Sequence, residues 1–127
     1  MANFAEIDEQ NTVVRVVVIS NDDILDENGV EQEQLGIDLC LQHVGPGKWI
    51  QTSYNNNFRK MFSQPGFVYV PDADVFYDPT SPFASWLLDE NYDWRSPVPY
   101  PTDGKNYYWD EPSVSWKEIT EPTIEGE

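Results

Sequence analysis

The chain has 127 residues, enough for one modest domain or a small domain with an extended arm. Its 23 acidic against 7 basic residues, a formal net charge of −16, oppose direct binding to nucleic acid or to an anionic membrane surface. Five Trp, seven Tyr and six Phe exclude a disordered acidic chain and must either fill a core or meet a partner.

Residues 3 to 19 predict a hairpin. Phe4 alternates with Glu6 and Ala5 with Ile7, the run Thr12–Ile19 is β-branched almost throughout, and Asp8–Asn11 supplies the turn. The second strand, apolar on both faces apart from Arg15, is expected to be central and covered. The cover is the single helix predicted from Glu31 to Val44, with Leu35, Leu39 and His43 on one line and Cys40 and Val44 beside it. Gly45-Pro46-Gly47 ends that helix. Lys48–Tyr54 reads as a third strand, Asn55–Asn57 as a polar turn, and Arg59 with Lys60 as an island of positive charge balanced by nearby carboxylates.

From Gly66 onward one pattern is written three times. A large apolar residue, a short acidic turn and an aromatic residue seven positions on pair Tyr69 with Phe76, Leu87 with Trp94 and Trp109 with Trp116. Ten Pro, most of them in this half, keep it extended and turn-rich. The fold class expected is mainly β (α+β), with an N-terminal hairpin packed by one helix and then short aromatic β-hairpins on an extended Pro-rich arm. The expected divisions are 1–64 for the core, 65–119 for the repeated hairpins and 120–127 for an acidic tail, disordered unless a partner holds it.

Chemistry is sparse in the sequence. Setting Gly29 at the sixth position of a calcium loop puts Ile24 and Leu35 where ligands belong, so the EF-hand register fails; Asp22, Asp26 and Asn28 are read as solvated turn residues, with a looser calcium site as the alternative. His43 is the only histidine and Cys40 the only cysteine, too few for a structural zinc, and both are read as packing. No disulfide can form within the chain, and no signal-peptide or membrane-span pattern occurs, so a soluble protein made in a reducing cytoplasm is expected. No catalytic residue, metal site, cofactor or small-molecule substrate is predicted.

The opening Met1–Glu9, the run Asn21–Asp23 with Leu25–Gly29, the run Gln51–Asn55 with Asn57–Lys60, and the close Pro97–Lys105 with Tyr108–Glu111 and Trp116 resemble a family of small acidic proteins common in cyanophages and other marine tailed phages. The segment Tyr69–Phe76 is similar to a short aromatic hairpin of phage tail-fibre proteins. The resemblance implies a phage origin and carries over no catalytic residue. With it, the composition suggests a virion component in many copies, docked on other capsid, tail or neck proteins, without nucleic acid or membrane as partner. Its expected interface residues are Tyr69, Phe76, Trp86, Trp94, Tyr100, Trp109 and Trp116 on the aromatic arm, with Arg59 and Lys60. The alternative is an early non-structural phage protein that inhibits a host factor, and the third reading is a glycan-binding module.

Overall fold

The structure, a computed structural model, describes residues 1–120, so the expectation for the acidic tail falls, beyond Thr120, outside the described residues. The chain is mainly β, with one α-helix and several small antiparallel hairpins. It divides into two compact units, Met1–Pro79 and Thr80–Glu127.

The first unit is built on β1 (Ala2–Ile7), which lies between β2 (Val13–Ile19) and β3 (Lys48–Thr52) in an antiparallel sheet of order β2-β1-β3. The expectation of a central second strand is therefore corrected. β3 adds to β1, leaving β2 at the edge, because β1 is the strand that both faces of the unit need. Ala2 and Phe4 point to one side, where Ile24, Cys40 and Trp49 complete a buried cluster under helix α1 (Glu33–His43). Ala5 and Ile7 point to the other, where they bury against Val13 and Phe76.

Phe76 belongs to the first hairpin of the aromatic repeat, β4 (Val68–Val70) with β5 (Val75–Tyr77). That hairpin closes the second face of the sheet, so the unit ends at Pro79 rather than near residue 64. The loop before it is stitched to the sheet through Val13, whose N–H donates to Phe67 O and whose carbonyl accepts from Gly66 N–H.

The helix meets the sheet through Cys40, Leu35 and Leu39, which the periodicity marks, and through Gly36, which it does not. Gly36 and Cys40 are buried, Leu35 and Leu39 are partly covered, and His43 and Val44 are exposed. A Cβ on Gly36 would stand 2.0 Å from Cζ of Phe4, whose ring is fully buried and has nowhere to go. The missing side chain is thus what lets the helix lie on β1.

The second unit holds hairpins β6–β7 (Leu87–Leu88, Trp94–Arg95) and β8–β9 (Tyr107–Asp110, Ser115–Glu118). In β8–β9 Trp109 faces Trp116, as the repeat predicts, and Tyr69 faces Phe76 in β4–β5. In β6–β7 it is Leu88, not Leu87, that faces Trp94. The reason is the turn. Asp89 N–H donates to Asp93 O and its carboxylate takes the amides of Asn91 and Asp93, which makes a tighter loop with Tyr92 left-handed at φ 62°.

The same turn occurs twice in the first unit. Asp8 accepts the amides of Gln10 and Thr12 with Asn11 at φ 63°, and Asp26 those of Asn28 and Val30 with Gly29 at φ 76°. Asp8-Glu-Gln-Asn, Asp26-Glu-Asn-Gly and Asp89-Glu-Asn-Tyr are one motif, an Asx-type turn whose fourth residue must go left-handed.

Two predictions follow from this packing. Gly36→Ala gains up to about 1 kcal/mol of helix propensity but overpacks Phe4, which costs about 1–3 kcal/mol or more, so it should lower the denaturant midpoint. Val114 is a β-branched residue at φ 49° in the β8–β9 turn. Val114→Asn should therefore raise the thermal midpoint of the second unit, by about 1 kcal/mol of relieved strain; a fall would show that Val114 makes contacts worth more than its strain.

Candidate functional site

The expected interface residues fall into two places. The first surrounds Arg59, whose guanidinium donates to Glu33 at the start of α1 (2.5 Å), to Gln51 O on β3 (2.9 Å) and to Asp74 in the β4–β5 turn (2.7 Å). Its carbonyl accepts the Phe76 amide, and its side chain lies over the Tyr69 ring. Arg59 is thus a clamp joining helix, sheet and hairpin. Glu33 also accepts the Gln51 amide at 2.7 Å, so these two side chains close the outer side of β3 at that residue.

The electrostatics follow from this geometry. Burial works against the Arg59 charge, and its bonds to Glu33 and Asp74 outweigh that and raise its pKa. The Tyr69 hydroxyl, then Arg59, hold the Asp74 carboxyl below its usual range, while burial and Asp74 push the Tyr69 hydroxyl up. Lys60 is partly buried beside the clamp, with its backbone at φ 71°. Tyr69 packs on Phe76 with centroids 5.1 Å apart, and Phe76 is core.

The second place is the aromatic cluster of the second unit. Trp109 is buried, and Trp86, Phe83 and Trp116 surround it with ring centroids 5.1–6.4 Å away, mostly tilted or edge-on as ring quadrupoles prefer. Glu111 ties the cluster together, accepting from the Trp109 indole (2.7 Å) and from both the amide and hydroxyl of Ser85. Those bonds hold its carboxyl below the usual range. The expected aromatic arm is therefore a small folded unit with its own aromatic core.

On one side of this core runs a groove of about 460 Å³ lined by Trp86, Trp94, Arg95, Pro99, Tyr100 and Trp116. Ser96, Pro99 and Tyr100 form one wall. The Trp116 indole donates to Val98 O at 2.8 Å, and Tyr100 packs edge-on against Trp116 with centroids 4.9 Å apart. Asp89 holds Arg95 at the rim. The structure thus brings together Trp86, Trp94, Tyr100 and Trp116, and separates from the groove Trp109, which is core, and Tyr69, Phe76, Arg59 and Lys60, which serve the first unit. Arg95 and Pro99 went unmarked in the sequence because nothing in their neighbourhood distinguishes a groove wall from a linker.

Cys40 and Asp26, two of the groups singled out in the sequence, are covered or occupied. Cys40 is fully buried and desolvation pushes its thiol up to about 11. The Asp26 carboxylate is taken up by the Val30 and Asn28 amides and by Gln32, which hold it below the usual range. Among the described residues no three His, Cys, Asp or Glu side chains are grouped as a metal site.

Comparison of the chain with models of known protein families, with curated proteins and with solved structures gives no match.

Removing the Arg59 clamp tests its structural role. Arg59→Ala should cost about 1–3 kcal/mol, since it leaves Glu33 and Asp74 without their partner. Arg59→Lys should recover only part of this, because an ammonium cannot reproduce the forked donor. With its pKa lowered in the folded state, Asp74 contributes stability above the unfolded Asp value, about 4, that is lost as pH falls through the native value. Denaturant unfolding from pH 7 down to about 2 should show that acid loss blunted in Arg59→Ala; an unchanged profile would mean the pair contributes nothing.

Proposed function

We propose that the chain is an accessory structural protein of a tailed-phage virion, a non-enzymatic component present in many copies and docked on a capsid, tail or neck lattice. The observation that carries this reading is the aromatic groove of the second unit. Large rings held rigidly by a core and left partly open are the anchors from which protein interfaces draw most of their energy. The groove's own wall indicates the chemistry it suits. An indole N–H bonded to the carbonyl of a proline-rich segment, with an aromatic ring packed beside it, is how aromatic grooves hold extended proline-bearing segments. A neighbouring virion protein with such a segment fits the open side.

Two further readings are weighed against it. Arg95 and Asp89 beside partly open aromatic rings also suit a glycan, which is the observation favouring a glycan-binding module. An inhibitor that mimics nucleic acid would set its carboxylates on one face. Here Asp8, Asp26, Asp89 and Asp103 accept backbone amides in separate turns, which favours docking.

Quantitative mass spectrometry of purified particles, against the major capsid protein, tests the reading. A copy number on the order of hundreds assigns the capsid, and a handful to a few dozen assigns the tail or neck. Trp94→Ala, which opens the groove without removing the Trp109 core, should lower incorporation, as loss of an anchor worth about 2 kcal/mol costs roughly thirty-fold in affinity. Absence from particles alongside abundance in infected cells would overturn the proposal and favour the inhibitor.

A further inference from the structure

The two edges of the first unit's sheet are treated differently. On the outer side of β3, Glu33 takes the Gln51 amide and Arg59 takes the Gln51 carbonyl, so a foreign strand finds those groups already bonded. On the outer side of β2, only the end near the turn is bonded: Asn11 O accepts from Tyr69, and Val13 exchanges bonds with Gly66 and Phe67. From Val14 to Ile19, among the described residues, no backbone–backbone hydrogen bond beyond the β1 ladder is made.

Nor does this stretch carry the features that keep sheet edges apart. It contains no proline, lysine or acid. The bulge, at Val14 opposite Glu6 and Ile7, stands at the start of the stretch beside the end that Gly66–Tyr69 covers, and leaves Arg15–Ile19 in regular register. Its one charge, Arg15, is drawn back onto Glu6 (2.5 Å) and over the Trp49 ring (5.5 Å), so it does not guard the edge. Val14 and Val18 are 48% and 54% exposed, so the open edge presents β-branched side chains to solvent. Beside them lies a mixed trough of about 560 Å³, in which Val17, Ile19, Leu39 and Val44 supply apolar walls and Ser20, Asp23 and His43 polar ones.

We propose that this edge pairs antiparallel with the same edge of a second copy, joining two three-stranded sheets into one across a two-fold axis. The sequence of β2 is self-complementary in that arrangement. A two-fold centred on Val16 sets Val14 against Val18 of the other copy and Arg15 against Val17; centred on Val17, it sets Val16 against Val18 and Arg15 against Ile19. In neither register does Arg15 meet Arg15, and β-branched residues face each other across the seam, the favourable cross-strand case. The stretch itself carries no acid, and the repulsion between two copies of charge −16 is screened by salt. That gives the dimer a sign opposite to a charge-driven partner: salt strengthens it. The inference stands on the first unit alone and does not depend on the virion reading.

Sedimentation equilibrium of the full chain from about 1 to about 300 μM tests it, since self-association must follow mass action. The expected result is a shift toward twice the 14.7 kDa monomer mass. It should strengthen between about 0.02 and 0.5 M NaCl, as the Debye length falls from about 20 to about 4 Å. Val18→Lys, at an exposed position, should abolish the shift while leaving the far-UV spectrum unchanged; Val14→Lys is the second variant should the first disturb folding. Hydrogen exchange at the residue 14–19 amides should slow with concentration. A monomer throughout, or a dimer indifferent to both lysines, overturns the proposal. So does a monomer whose 14–19 amides are protected even at the lowest concentration, which would show that the chain covers its own edge.

Discussion

The first unit depends on burying both faces of β1. A strand of six residues can carry a core on each side only if two different elements reach it, and here they arrive from distant parts of the chain. Phe4 is received by the helix through the gap at Gly36, and Ala5 and Ile7 are covered by Phe76 from the β4–β5 hairpin. Everything else in the unit serves that sandwich. β3 pairs where Trp49 can join the Phe4 cluster, and Arg59 pins the start of the helix, β3 and the hairpin turn together. A small sheet with few residues per face tolerates little loss of this kind, because marginal stability leaves only a few kcal/mol to spare.

The second unit solves the same problem without a helix. Its strands are two to four residues long, too short to stabilise themselves as hairpins. Large rings compensate. Trp109 sits among Phe83, Trp86 and Trp116, and Glu111 satisfies the Trp109 indole and Ser85 at once. The same economy leaves ring surface over, because few chain atoms are available to cover it, and the groove beside Trp116 is where that surface lies. Thus the unit's core and its candidate binding surface share residues, and a substitution there must be chosen to spare Trp109.

The acidic character of the chain has a local explanation as well as a global one. Asp8, Asp26 and Asp89 each close the same turn by accepting two amides, and Asp103 and Asp110 accept amides in others. Carboxylates spent on turns are fixed in position by the backbone they cap, which is why they are distributed along the chain. The three turns share Asp-Glu-Gln/Asn, and they become recognisable as one turn only when the left-handed residue that follows is seen to be Asn11, Gly29 or Tyr92.

Local rules written in neighbouring residues were sufficient for the mainly β class, the opening hairpin, the helix and the facing pairs Tyr69–Phe76 and Trp109–Trp116, because turn residues and side-chain period act over a few positions. The order of strands was not available in that way. β2 reads as the more apolar strand, but which strand is central is decided by where β3 pairs and by what covers each face, contacts separated by tens of residues. The same limit hid the partners of Arg59, the role of Gly36 and the one-residue difference at Leu88, since each depends on an element elsewhere or on a turn's hydrogen bonds. Sequence alone determined that the aromatic residues recur at strand positions. Only the tertiary structure decided that Phe76 and Trp109 are core, that Trp86, Trp94, Tyr100 and Trp116 line a groove, and that a valine-rich strand stands at an edge, because burial is a property of what arrives from the rest of the chain.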